Sequence, residues 1–295
     1  MSLDGADTWL RGYGLTPHPN ILGGFTALGI ISLTGIAVLS EGTHWRWCFL
    51  GIAILSSGLA VTFSRSAWIG LLVAFVILIV GTTDNRLRLH RVLSAATMVA
   101  ASMAVFIVGS PDRYLSRVVF PLLGLLHLSS VSPREMADLN QRVVQYATAF
   151  QLVRRDLLFG IGVGNFTDTW QLAGTAVESV PFLPVHNVPV LIATEQGLIG
   201  LSCWLLAYVW IVRESVRRWS TVRATWTLLW TAILAGTFAI GFFDYYFWGW
   251  EQGRIIFWSI FGLWIVSTQP GQTSVRRLAK LQHVRGLVHT GGREQ

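Results

Sequence analysis

The chain has 295 residues, 53% of them hydrophobic and only 13% charged, with a formal net charge of +7 and a mean hydropathy of +0.54. A soluble domain carries about 25% charged residues. The deficit, with 14 Trp and 16 Phe, excludes an ordinary soluble fold and indicates an integral membrane protein. The basic excess does not indicate nucleic acid, because the basic residues gather at the ends of apolar runs. Cys48 and Cys203 each fall inside such a run and read as buried small hydrophobes, with no disulfide framework or metal-binding spacing. Met1 to Asn20 is too polar for a secretory signal peptide.

A helix needs about 20 apolar residues to cross the hydrocarbon core. Candidate spans in chain order are Asn20–Ser40, Trp45–Phe63, Ser66–Val80, Val92–Gly109, Asn187–Val212, Ala224–Phe243 and Ile255–Ser267. These runs predict an all-α, polytopic membrane protein of about seven helices. Four spans fall in a first membrane part (1–109) and three in a second (187–267). Between them lies a large polar loop (110–186), and a basic tail (268–295) follows. The segments 84–91 and 213–223 and the tail are rich in arginine, and with seven spans all three lie on one side. Excess basic charge marks that side as cytoplasmic. The loop of 110–186 balances six arginines with six acids and is placed outside, together with Arg65 and 244–254.

Within the outer loop, Ser132-Pro133-Arg134-Glu135 reads as a capped helix start. Apolar residues from Met136 to Val153 recur at three- and four-residue steps, an amphipathic helix suited to lying on a membrane face. It ends near Phe159 at the run Gly160-Ile161-Gly162-Val163-Gly164-Asn165-Phe166. No strand precedes these glycines, so a helix exit with close backbone packing is a better reading than a phosphate loop.

Several polar residues stand out against this background. Arg65 breaks an apolar stretch too long for one span. It is either an arginine snorkelling at a hairpin turn or a functional group at the membrane boundary. Arg142 lies mid-helix beside Gln141 and Gln145, where a solvated helix face is the bland alternative. Arg154-Arg155 near the helix end suits the helix dipole and reads as structural. His186 and Asn187 begin the fifth span on the outer side, and imidazole is the side chain best able to take a proton near neutral pH. Glu195, deeper in that span, must face protein or water. Asp244, Glu251 and Arg254 occupy the last outer loop among aromatic residues. The sequence carries no metal motif and no nucleotide-binding loop.

Taken together these motifs resemble the O-antigen ligase and O-antigen polymerase superfamily of bacterial membrane glycosyltransferases. The resemblance rests on Arg11-Gly12-Tyr13-Gly14 with His18-Pro19-Asn20, and on Thr62-Phe63-Ser64-Arg65-Ser66-Ala67. It rests further on Gln141-Arg142 with Leu158-Phe159 and the glycine run, and on His186-Asn187 with Glu195-Gln196-Gly197-Leu198-Ile199-Gly200. Members carry about a dozen spans, so seven imply an N-terminally short member. The resemblance implies a GT-C-like fold in the bacterial inner membrane. The implied reaction is transfer of a glycan from a polyprenyl-diphosphate carrier to an acceptor hydroxyl, the lipid A core or a growing glycan, on the periplasmic face, without cofactor or metal. Arg65 and Arg142 would clamp the diphosphate, His186 would orient or deprotonate the acceptor, and Asp244 would orient His186 or the acceptor. Asn187 and Glu195 would play secondary roles. A polymerase or a protein-directed glycosyltransferase would use the same residues. The reading from another class is a transport or scaffold protein. Charges lining a path through the membrane would mark it, and spans one, two, four and six carry almost none.

Overall fold

The computed structural model describes residues 11–40, 43–115, 133–172, 183–217, 219 and 226–268. Among these residues the regular structure is entirely helical. The basic tail and the cap at Ser132 lie outside the described residues, as does part of the outer loop.

Four long helices come first: α1 (Pro19–Leu39), α2 (Trp45–Thr62), α3 (Arg65–Thr82) and α4 (Arg86–Gly109). A single turn, α5 (Pro111–Tyr114), follows. The outer loop contributes α6 (Pro133–Arg155) and α7 (Phe166–Leu172). After it come α8 (Val188–Arg217), α9 (Trp226–Gly241), the turn α10 (Tyr246–Gly249) and α11 (Glu251–Thr268). Five of these, α1 to α4 and α8, are long and apolar enough to cross a membrane. The sixth expected span is α9, 16 residues long. The seventh is α11, whose first turn carries Glu251 and Arg254. The polytopic, all-α expectation therefore holds, although these last two helices are shorter or more polar than a full crossing needs.

Helices α1 and α9 form the centre. Both are apolar around their whole circumference, the pattern of a helix with protein on every side. In α1 the buried residues include Ile21, Ala27, Ile30, Ile31, Thr34 and Val38; in α9, Leu228, Leu229, Ala232, Ile233, Leu234 and Ile240. Helices α2, α3 and α4 pack around α1, while α9 packs on α3, α1 and α11. Lipid tails are as apolar as leucine, so close backbone approach and polar satisfaction must hold such helices together. The crossing of α3 and α9 supplies the first: a Cβ on Gly70 would stand 2.7 Å from the Gly236 carbonyl oxygen, and one on Gly236 2.9 Å from that of Gly70. The second comes from hydroxyls that donate back along their own helices, as Thr34 Oγ1 does to the Ile30 carbonyl and Ser56 Oγ to that of Ile52. Between helices, Trp264 Nε1 donates to Thr231 Oγ1 at 3.0 Å.

The two ends of the bundle differ in chemistry. At one end Arg91 Nη1 donates to the carbonyls of Ala37 and Ser40, closing the C-terminus of α1, and its guanidinium lies over the Trp45 ring. Arg213 and Arg217 sit at the same end, at the C-terminus of α8. At the opposite end meet the N-termini of α1, α3 and α8, the C-termini of α2 and α9, and the outer helix α6.

Candidate active site

That second end encloses a cavity of about 450 Å³. Six parts of the chain build it. The segment before α1 supplies Arg11 and His18, α1 supplies Asn20, and the α2–α3 turn supplies Phe63, Arg65 and Ser66. Helix α6 supplies Leu139, Gln141 and Arg142, and the entry to α8 supplies His186. Phe243, just beyond α9, completes the wall.

The α2–α3 turn is tight because Phe63 takes a left-handed conformation (φ 51°), braced by its ring against Tyr114 at 4.7 Å between centroids. Ser64 and Ser66 are buried with their hydroxyls 3.3 Å apart. Arg65 between them is therefore turned outward, into the cavity. Arg142 is half-buried on α6 and reaches the same space. The guanidiniums of Arg11, Arg65 and Arg142 all line this cavity. The cavity is thus rich in positive charge with fixed fork geometry, suited to a polyanion.

His186 lies just before α8. Gln145, one turn beyond Arg142 on α6 and fully buried, places Oε1 2.8 Å from His186 Nδ1. An amide oxygen only accepts, so this contact puts the ring proton on Nδ1 and leaves the Nε2 lone pair unprotonated. Tyr245 meets the imidazole edge-on at 5.2 Å. Burial, then the charges of Arg142 and His18, push the imidazole pKa down to about 3, so the ring is neutral throughout the physiological range. Asn187 does structural work: its Oδ1 accepts from the Val190 N–H, capping α8, and its Nδ2 donates to the Phe242 carbonyl at the end of α9.

Asp244 finds its hydrogen-bond donors in α1 and in the adjoining backbone. It is 4% exposed and accepts from Asn20 Nδ2 at 2.6 Å and from the Tyr245 N–H at 2.9 Å. Asn20 Oδ1 in turn accepts from Arg11 Nη2 at 2.7 Å, and Arg11 Nε donates to the Thr62 carbonyl. Burial raises the Asp244 carboxyl to about 6, against the opposing pull of Asn20, the Tyr245 N–H, Arg142 and Arg11. The side chain holding His186 is Gln145. Sequence reasoning noted Gln145 only as a neighbour of Arg142, and Arg11, His18 and Asn20 only as motif letters. A buried glutamine three positions from an arginine on one helix was the available signal, but its partner lies 41 residues away.

Glu195 and the glycine run form a second polar assembly. Helix α8 breaks at Gly197 (φ 66°, ψ −170°), which frees backbone groups on both sides of the break. The Ile161 N–H donates to the Thr194 carbonyl and the Gly162 N–H to that of Glu195. In the other direction, Leu198 and Ile199 donate to Leu157 and Leu158. The Glu195 carboxylate accepts from the N–H groups of Gly164 and Phe166, at the start of α7. A Cβ on Gly160 would stand 2.4 Å from Glu195 C, and one on Gly197 2.2 Å from Leu158 O, so glycine is required where the two backbones interlock. The close backbone packing expected of the glycine run is what these contacts describe.

No curated protein matches the chain. A family model described as O-antigen ligase matches residues 50–205, a range that holds Arg65, Arg142, Gln145, His186 and Glu195 but excludes Arg11, Asn20 and Asp244. That range is more than half of the 295 residues, and the chain belongs to the O-antigen ligase family.

Proposed function

We propose that this protein transfers a glycan from polyprenyl diphosphate to an acceptor hydroxyl, in the manner of an O-antigen ligase, with the lipid A core as acceptor, at the periplasmic face of the inner membrane. Family membership supports glycosyl transfer from a lipid-linked donor in general. The observation carrying the finer reading is the convergence of Arg65, Arg142 and His186, from three separate elements, on one cavity.

The proposed step is a single displacement. The acceptor oxygen bonds to the anomeric carbon as the bond from that carbon to the diphosphate oxygen breaks, inverting the configuration. The hydroxyl proton passes to His186 Nε2, and the electron pair leaves with the polyprenyl diphosphate. Arg65 and Arg142 hold the leaving group, where fixed cations are worth most as its charge develops. A strongly depressed imidazole pKa makes His186 a weak base but keeps it in the accepting form. Proton transfer is then late, after the forming C–O bond has acidified the hydroxyl. Gln145 fixes the required tautomer, and Asp244, through Asn20, positions Arg11 on the cavity wall.

The test is glycan transfer in cells carrying the complete pathway, with membrane levels of each variant measured alongside. Arg142→Ala is expected to lose about 10²- to 10³-fold of transfer, the cost of one lost electrostatic donor, at unchanged membrane levels. Normal transfer in that variant would remove Arg142 from the mechanism. Transfer to a second repeat unit, with the lipid A core untouched, would favour a polymerase.

A further inference from the structure

The interlock between the glycine run and α8 has an outer surface as well as an inner one. On that surface Leu157, Leu158, Phe159 and Val163 are exposed, Phe159 at 77%. Between Asp156 and Asp168 the sequence has no charged residue. The hydrogen bonds to Leu198 and Ile199 fix Leu157 and Leu158 beside the start of the unbroken part of α8. From there Leu198, Leu205, Val209 and Val212 are exposed at helical spacing, the stripe by which a span faces lipid.

Depth follows from helix geometry. Arg213 is the first charged residue along this stripe, so it marks the far membrane boundary. Residues 198 to 212 rise only about 22 Å, against a hydrocarbon core of about 30 Å. Tilt would shorten that rise further. Leu198 therefore lies below the near boundary, and the chain bonded to it lies there too.

A non-helical segment survives at such a depth only if its backbone polar groups find partners within the protein. This one meets the condition at the N–H groups of residues 160–162 and at the carbonyls of Leu157, Leu158, Ile161 and Gly162. Gly160 donates to Asp156, Ile161 and Gly162 donate to α8, and Leu157 and Leu158 accept from it. Asn165 donates from its backbone to Gly162 and from Nδ2 to Ile161, while the Glu195 carboxylate takes Gly164 and Phe166. Arg154 and Arg155, exposed just ahead of the loop, stand where lipid phosphates would be.

We infer that residues 157–163 are embedded in the outer leaflet, with Leu158 and Phe159 among the acyl chains, anchoring α6 and its Arg142 at a fixed height above the membrane. The inference is independent of the catalytic reading.

Spin labels at Phe159→Cys and, separately, Leu158→Cys test it, in a full-length Cys48→Ala/Cys203→Ala protein reconstituted into phosphatidylethanolamine–phosphatidylglycerol vesicles. Leu15→Cys, at a fully exposed position before α1, is the aqueous reference. Embedding predicts collision with oxygen several-fold more frequent than with a water-soluble nickel chelate at residues 158 and 159, and the reverse at residue 15. Nickel access at both positions equal to that at residue 15 would overturn the inference. So would low access of both reagents, which would mean that protein, not lipid, covers the loop.

Discussion

The cavity and the glycine interlock both carry short polar motifs in the outer part of the chain, yet they use them in opposite ways. In the cavity, charged side chains from distant elements face an open volume. At the interlock, Glu195 and the glycines are consumed by contacts with each other and with the break in α8. A motif in this chain is therefore a candidate for chemistry only where its residues line a cavity. Where its polar atoms are satisfied, it signals architecture.

The sharpest way to break that contrast is to exchange the expected phenotypes. His186→Ala should leave protein in the membrane and reduce glycan transfer by about 10²- to 10⁴-fold, the range for loss of a general base; a smaller loss would move His186 to the architectural side. Gly197→Ala should act through stability. The added methyl meets the Leu158 carbonyl and needs a left-handed backbone, a combined cost on the order of 3 kcal/mol. Fluorescence size-exclusion after heating should report a lower midpoint. Glu195→Gln replaces charge-assisted contacts by neutral ones and should cost about 2 kcal/mol by the same assay; loss of transfer at unchanged stability would instead make Glu195 part of the cavity's chemistry.

The smallest effect expected at neutral pH, and the most specific, is that of Gln145→Glu. A carboxylate at the position of Oε1 would stabilise the imidazolium, raising the His186 pKa by about one to three units from its depressed value near 3. His186 would then be protonated, and unable to accept a proton, at higher pH than in the wild type. The acid limb of the transfer-rate profile should move upward, with little change at pH 8. An unmoved limb would separate Gln145 from the tautomer control assigned to it.

Much of this was legible in the sequence, because bilayer thickness imposes a length on every apolar run. Helix α1 starts within one residue of its expected span, and the break at Arg65 follows from 36 apolar residues being too many for one crossing. The end at Arg217 and the kink at Gly197 were not legible as such, since an arginine can extend a helix beyond the membrane and a glycine inside a helical pattern is locally ambiguous. Arg65, Arg142 and His186, which line the cavity, stood out as candidates because charge and imidazole are conspicuous against an apolar background. Gln145 was not, because a neutral amide acquires a role only from its partner, and pairing across 41 residues is decided by tertiary packing. For Asp244, itself a candidate from the sequence, the same holds of its partners: one donor is the adjacent Tyr245 N–H, the other comes from α1.

That last contact also sets an order in time. Asn20 and Asp244 are 224 residues apart, so the strap behind the cavity wall joins one of the earliest parts of the described chain to one of the latest. At a synthesis rate of about 5–20 residues per second, Arg65 is made roughly 10–35 s before Asp244 can tie down the wall that carries Arg11. During that interval the nascent chain carries Arg65 without the rest of the cavity wall. The cavity, whose wall includes Phe243, is thus completed only after α9 has been made.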